Sequence, residues 1–186
     1  MFQLQVISVS TRPGRKGPAV AKWFHDSAVK HGNFDVRYTD LGEQGLPLFD
    51  EPNHPRLKQY QHAHTQAWSA KMDAADAFVF VTPEYNYSTP PSLLNALTYL
   101  VQEWAYKPVG FVSYGGLSGG MRSVQMTKLV LTGFKMMPIP EAVMVPNFNQ
   151  LLGEDGVFRA NEQHEKSAVG LLNELHRWTG ALKTLR

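Results

Sequence analysis

The chain has 186 residues, enough for one domain that buries a sheet between two helix layers. Its formal net charge of +2, with no block of Lys and Arg, is too small to imply nucleic-acid binding; the lack of cysteine excludes disulfides, thiolate catalysis and cysteine-held metals. No apolar run approaches the roughly 18 residues of a membrane span, and Phe2-Gln3-Leu4-Gln5 is no signal peptide, so the expectation is a cytoplasmic protein without membrane or nucleic-acid partners.

Apolar strand patterns alternate with amphipathic helical ones along the chain. Leu4 to Val9 reads as a first strand, followed by a loop and a helix from about Pro18 to His31. Phe34 to Leu41 alternates with period two and reads as a strand near an edge. After a loop rich in Pro and Gly, a helix is predicted from about Arg56 to Asp73. Ala77-Phe78-Val79-Phe80-Val81 is continuously apolar, as a strand buried on both faces should be. A helix from Ser92 to Trp104, a fourth strand from Val109 to Tyr114 and a helix from Gly119 to Gly133 follow. A fifth strand, Ile139 to Val145, and a helix from Glu162 to Leu185 complete the pattern. Five strands alternating with five helices predict a single α/β domain over 1–186. The expected architecture is a flavodoxin-like three-layer fold, a five-stranded parallel sheet of order 2-1-3-4-5 with helices on both faces.

That strand order brings three loops together at the carboxyl ends of strands one, three and four, where open sheets bind ligands. The first holds Ser10, Thr11, Arg12, Gly14, Arg15, Gly17, Pro18 and Ala19 ahead of a helix. Its hydroxyls, arginines and helix amino terminus suit a terminal monophosphate dianion. It is neither a Walker loop nor a dinucleotide glycine fingerprint; the competing reading is a plain turn with solvated arginines. The second loop, Pro83-Glu84-Tyr85-Asn86-Tyr87-Ser88, is polar and aromatic between prolines. The third, Ser113-Tyr114-Gly115-Gly116-Leu117-Ser118-Gly119-Gly120-Met121-Arg122, has four glycines that let backbone approach a ligand. A phosphate-tailed planar redox ring, FMN, fits the combination.

With these loops in view, the chain resembles the NADPH-dependent FMN reductase family, which includes quinone, azo-dye and chromate reductases. The matching stretches are Ser10 to Arg15, Pro83 to Ser88, Leu94 to Leu97, Lys107 to Gly116, Ser118 to Arg122 and Pro140 to Val143. The chain departs from the family pattern at Thr98, Tyr106, Met126 and Lys128. The resemblance implies FMN phosphate held by Ser10, Arg12, Arg15, Gly17, Pro18 and Ala19. It places the isoalloxazine against Pro83, Glu84, Tyr85 and Asn86, and against Ser113, Tyr114, Gly115 and Gly116.

The activity expected is hydride transfer from NADPH or NADH through FMN to a small-molecule acceptor such as a quinone, azo compound or flavin, in two steps. The flavin carries that chemistry, so no catalytic side chain is expected; Glu84 is expected to cap a turn or helix rather than donate a proton. No metal is expected. His62 and His64 are expected to point to different sides of one helix, and the remaining histidines have no ligand-like spacing. Leu93, Ala96, Leu97, Leu100 and Val101 read as core, while Tyr99 and Trp104 are expected on the surface of a homodimer or homotetramer. The alternatives are a flavodoxin-type electron carrier, against which a pI near 8.8 argues, and a flavin-free phosphate-binding domain.

Overall fold

The computed structural model describes residues 1–186. In chain order its elements are β1 (Phe2–Ser8), α1 (Gly17–His31), β2 (Phe34–Asp40), α2 (Ala63–Asp73) and β3 (Ala77–Pro83). They continue with α3 (Pro91–Thr98), β4 (Pro108–Tyr114), α4 (Met121–Leu131), β5 (Met137–Val145) and α5 (Glu162–Lys183). The strands pair only in parallel, in the order β2-β1-β3-β4-β5 expected from the alternation of elements. Every residue of β3 and β4 is buried, because helices cover both faces there, whereas β2 and β5 lie at the edges and are each partly exposed.

Two cores of similar size flank the sheet. Phe24, Val79, Val112, Leu171 and Leu175 lie under α1 and α5, while Met72, Phe80, Leu97, Phe111 and Leu131 lie under α2, α3 and α4. In the register, Ser8 is level with both Asp40 and Val81, and Thr82 with Ser113. The loops after β1, β3 and β4 therefore leave the sheet side by side. No helix is long and apolar enough to cross a membrane.

Two helices are shorter than their periodicity suggests, each because of a distant side chain. The helix expected from Arg56 is a 3-10 turn over Pro55–Leu57, a left-handed Lys58 (φ 50°), an extended stretch and then α2 from Ala63. Glu51 accepts hydrogen bonds from the backbone N–H groups of Gln61 and His62 at 2.8 and 3.0 Å, which fixes where α2 begins. Likewise α3 ends at Thr98, and the Leu97 carbonyl at its end accepts from the Leu100 N–H at 3.2 Å and from the Trp104 indole at 3.1 Å.

This geometry corrects two expectations. Tyr99 and Trp104 are not surface residues: they are 0% and 1% exposed and pack in the core under α2 and α3. His62 and His64 do not diverge, because His62 precedes α2 in extended conformation. Their rings stack at 5.2 Å, and His64 Nε2 lies 3.0 Å from Asp50. No cluster of three or more His, Asp or Glu is placed to hold a metal ion.

Candidate flavin cleft

The loops after β1, β3 and β4 enclose a cleft of about 460 Å³ lined by Ser10, Arg12, Arg15, Lys16, Pro83, Glu84, Tyr85, Tyr114, Gly115, Gly116, Phe148 and Asn149. That volume is within the usual range for small-molecule and cofactor sites. A larger concavity of about 720 Å³ lies at the amino ends of β4 and β5, between Lys107, Lys135 and Arg186. It lacks the glycine and hydroxyl loops, so residue chemistry and not size selects the smaller cleft.

In the first loop, α1 begins at Gly17 with Pro18 in its first turn, where a missing N–H removes no helix bond. No side chain caps this terminus and no acid sits in its first turn, which leaves its dipole open to an anion. The two arginines differ. Arg15 donates from Nη2 to Asp40 at 2.9 Å, and its Nε is buried without a partner. Arg12 is exposed and in no ion pair, so it is the arginine available to a phosphate. Ser10 is buried, and its Oγ is 2.6 Å from the Tyr85 hydroxyl, joining the first loop to the second.

The second loop starts directly from β3, which runs through Pro83. Tyr85 and Ser88 exchange backbone bonds of 3.1 and 2.9 Å around Asn86 and Tyr87, whose φ values are 49° and 67°. Two consecutive left-handed residues in a two-residue hairpin make a type I′ turn. Glu84 reaches across to the third loop, accepting from Arg122 Nε at 2.7 Å, from the Arg122 backbone N–H at 3.1 Å and from Ser118 Oγ at 3.1 Å. Burial alone would raise its pKa, but the bonds from Arg122 and Ser118 outweigh burial and hold it below the ordinary carboxyl value. Glu84 is therefore ionised at neutral pH and caps the first turn of α4 rather than supplying a proton.

In the third loop, Gly120 is left-handed (φ 82°), and a Cβ there would meet the Tyr114 backbone. Tyr114 is 4% exposed and points beneath the start of α1, into space that a side chain at Gly17 would fill. Burial raises its hydroxyl pKa, so it stays neutral. Gly115 and Gly116 are tied to the segment after β5, since Phe148 N–H donates to the Gly115 carbonyl and Asn147 N–H to the Gly116 carbonyl. This contact brings Phe148 and Asn149 into the cleft wall.

Most of the residues singled out from sequence thus share one cleft, but five do not line it. Gly17 and Pro18 form the helix start behind it, and Ser113 is inside the sheet opposite Thr82. Asn86 is exposed at the hairpin tip, and Ala19 borders a separate concavity beside Trp23 and Phe158. The motif reading missed Lys16, Phe148 and Asn149. The available signal was topological: β5 neighbours β4, so the loop after β5 must pass the glycine loop. The residues present fit FMN: an open helix terminus with an unpaired Arg12 for a dianion, then a Tyr85 side and a glycine side for a flat ring.

The comparisons with known proteins agree. A sequence profile of the NADPH-dependent FMN reductase family matches residues 3–150. The NAD(P)H-dependent FMN reductase C4B3.06c of Schizosaccharomyces pombe is 42% identical over 120 residues, covering 63% of this chain and 60% of that protein. The NAD(P)H-dependent FMN reductase LOT6 of Saccharomyces cerevisiae is 35% identical over 177 residues, covering 89% of this chain and 92% of its own. Among solved structures, the flavoenzyme NAD(P)H:(acceptor) oxidoreductase FerB of Paracoccus denitrificans superposes with a TM-score of 0.77 at 19% identity. It covers 97% of this chain and 98% of its own, which supports the fold. The chain belongs to the NADPH-dependent FMN reductase family and is an FMN-dependent oxidoreductase that uses NAD(P)H.

Proposed function

We propose that the cleft between the loops after β1, β3 and β4 is the FMN site, and that the enzyme passes reducing equivalents from NAD(P)H to a small quinone-like acceptor in two successive half-reactions. The observation that carries this reading is the convergence of the unpaired Arg12, the uncapped start of α1, the Tyr85 hairpin and the glycine loop on one cleft. FMN, when bound, supplies the hydride-accepting and hydride-donating chemistry. The chain's own part is placement and charge. Ser10, Arg12 and the α1 terminus hold the phosphate, with Arg15 bracing the loop through Asp40. Pro83 to Tyr85 and Gly115–Gly116 bound the ring, and the backbone N–H groups of Glu84 and Gly116, which are not spent on bonds within the chain, would offset negative charge on the reduced ring. Glu84, being ionised, donates no proton. NADPH and NADH remain alternative donors in this reading, and the enzyme acts in the cytoplasm.

The same reading includes a homodimer. Its face moves from Tyr99 and Trp104, which are buried, to α4 and its surroundings. Met126, Leu129 and Val130 are 45%, 69% and 36% exposed along α4, with Leu117 at 91% beside the cleft mouth. Light scattering at micromolar concentration should give twice the chain mass, and Leu129→Glu should reduce it; a monomeric wild type contradicts this part.

The function is tested by mixing FMN-loaded protein with NADPH anaerobically in a stopped-flow instrument. The visible flavin absorbance should be lost without any partner protein and return on adding a benzoquinone. A flavin that stays oxidised with both NADPH and NADH contradicts the enzyme and favours an electron carrier that needs a separate reductase.

A further inference from the structure

We infer that Glu84, Arg122 and Tyr87 form a clasp that holds the Tyr85–Ser88 hairpin in a strained turn, positioning one wall of the flavin cleft. This rests on the FMN reading above and deepens it. The strain is local and specific. A type I′ turn needs two left-handed residues, and Asn tolerates that conformation, but a bulky aromatic residue rarely adopts it. Tyr87 does so at φ 67° while 69% exposed, so burial in the core cannot be what holds it.

What does hold it is the guanidinium of Arg122, whose Cζ sits 3.7 Å from the centre of the Tyr87 ring. Arg122 is fixed in turn. Its Nε donates to Glu84 Oε1 at 2.7 Å, its Nη2 lies 2.6 Å from the same oxygen, and Nη2 donates to Ser118 Oγ at 3.1 Å. Glu84 Oε2 accepts from the Arg122 backbone N–H and from Ser118 Oγ, closing the ring of contacts. The Glu84 side chain is 9% exposed and Arg122 43%, and the pair gains over an ordinary surface ion pair through its several hydrogen bonds on one carboxylate. The contacts join residues 34 to 38 apart in sequence and tie the hairpin to the amino end of α4. Glu84 and Tyr85 both line the cleft, so fixing Glu84 and Tyr87 fixes the backbone between them. Glu84, Arg122 and Tyr87 are positioning residues: they act on the ring through that backbone.

The test is a rescue cycle read by FMN binding, by the spectrum of the bound flavin and by thermal melting of the apoprotein. Arg122→Ala should weaken FMN roughly tenfold, the scale of one released strained residue, and shift the visible flavin bands, with the apoprotein melt little changed. Glu84→Gln should do the same in smaller measure. In a Tyr87→Gly background the turn carries no strain, so adding Arg122→Ala should change FMN binding by less than about twofold. If Arg122→Ala binds FMN like wild type, or if its loss is the same with Gly at position 87, the clasp is overturned while the FMN site stands. If the wild-type chain takes up no FMN, the cleft reading falls, and the clasp as a flavin-positioning device falls with it.

Discussion

The two ends of the sheet use their charges in opposite ways. At the amino ends of the strands, the larger concavity is bordered by Lys107, Lys135 and Arg186, which have partners inside the chain, and by an exposed Arg56 that has none. Lys107 donates to the Met72 and Asp73 carbonyls at 2.9 and 3.0 Å, Arg186 bonds Asp76, and Lys135 reaches the Tyr106 hydroxyl. At the carboxyl ends the cleft is smaller, yet Arg12 is unpaired, the start of α1 is uncapped and the Arg15 Nε is orphaned. The uncapped helix start and the glycine loop, and not volume or a single free arginine, set the smaller cleft apart. Tyr106 illustrates the structural end. It is left-handed at φ 59°, with its N–H bonded to the Lys135 carbonyl, a conformation that glycine adopts without strain.

The largest effect should come from the structural end. Trp104→Ala removes a buried indole packed on Phe78 and Trp68 and takes one of two donors from the Leu97 carbonyl. It should cost about 3–5 kcal/mol in urea denaturation, while FMN affinity of the folded fraction stays near wild type. A large loss of affinity at conditions where the variant is folded would break the division between the two ends. Lys107→Met is a finer probe. It leaves the Asp73 carbonyl without its donor and takes one of two donors from the Met72 carbonyl at the end of α2, and should cost about 1–3 kcal/mol without changing the flavin spectrum. Burial lowers the Lys107 pKa to about 8, opposed by the charge of nearby Asp73.

A smaller effect concerns α5. Asn161 accepts from the His164 N–H at 2.9 Å and the His164 ring accepts from the Asn161 N–H at 3.2 Å, a reciprocal cap. Burial lowers the His164 pKa below its ordinary 6.5. As pH falls, the unfolded chain takes the proton first, so this contribution is full above 6.5 and is lost as pH drops through the folded value. Asn161→Ala should cost about 1 kcal/mol. His164→Gln should flatten the dependence of melting temperature on pH below 6.5, and an unchanged slope would remove His164 from the account.

The strands were readable because β3 and β4 are continuous apolar runs that need helices on both faces. The three loops were readable because glycines, prolines and hydroxyls cluster where those runs stop. What the residues did not disclose depends on contacts between distant segments. The start of α2 is fixed by Glu51, the end of α3 by Trp104, and the role of Arg15 by Asp40 at the end of a neighbouring strand. The Phe148 and Asn149 wall was hidden for the same reason, since it exists only once β5 lies beside β4. Periodicity speaks to burial within an element, not to which side chain ends it.

The account stands most directly on Arg12 gripping a phosphate, and comparing FMN with riboflavin isolates that contact. Equilibrium dialysis of wild type and Arg12→Ala against both flavins should show FMN binding weakened by about 10- to 100-fold with riboflavin binding unchanged. Equal loss for both flavins, or no loss for either, would contradict it.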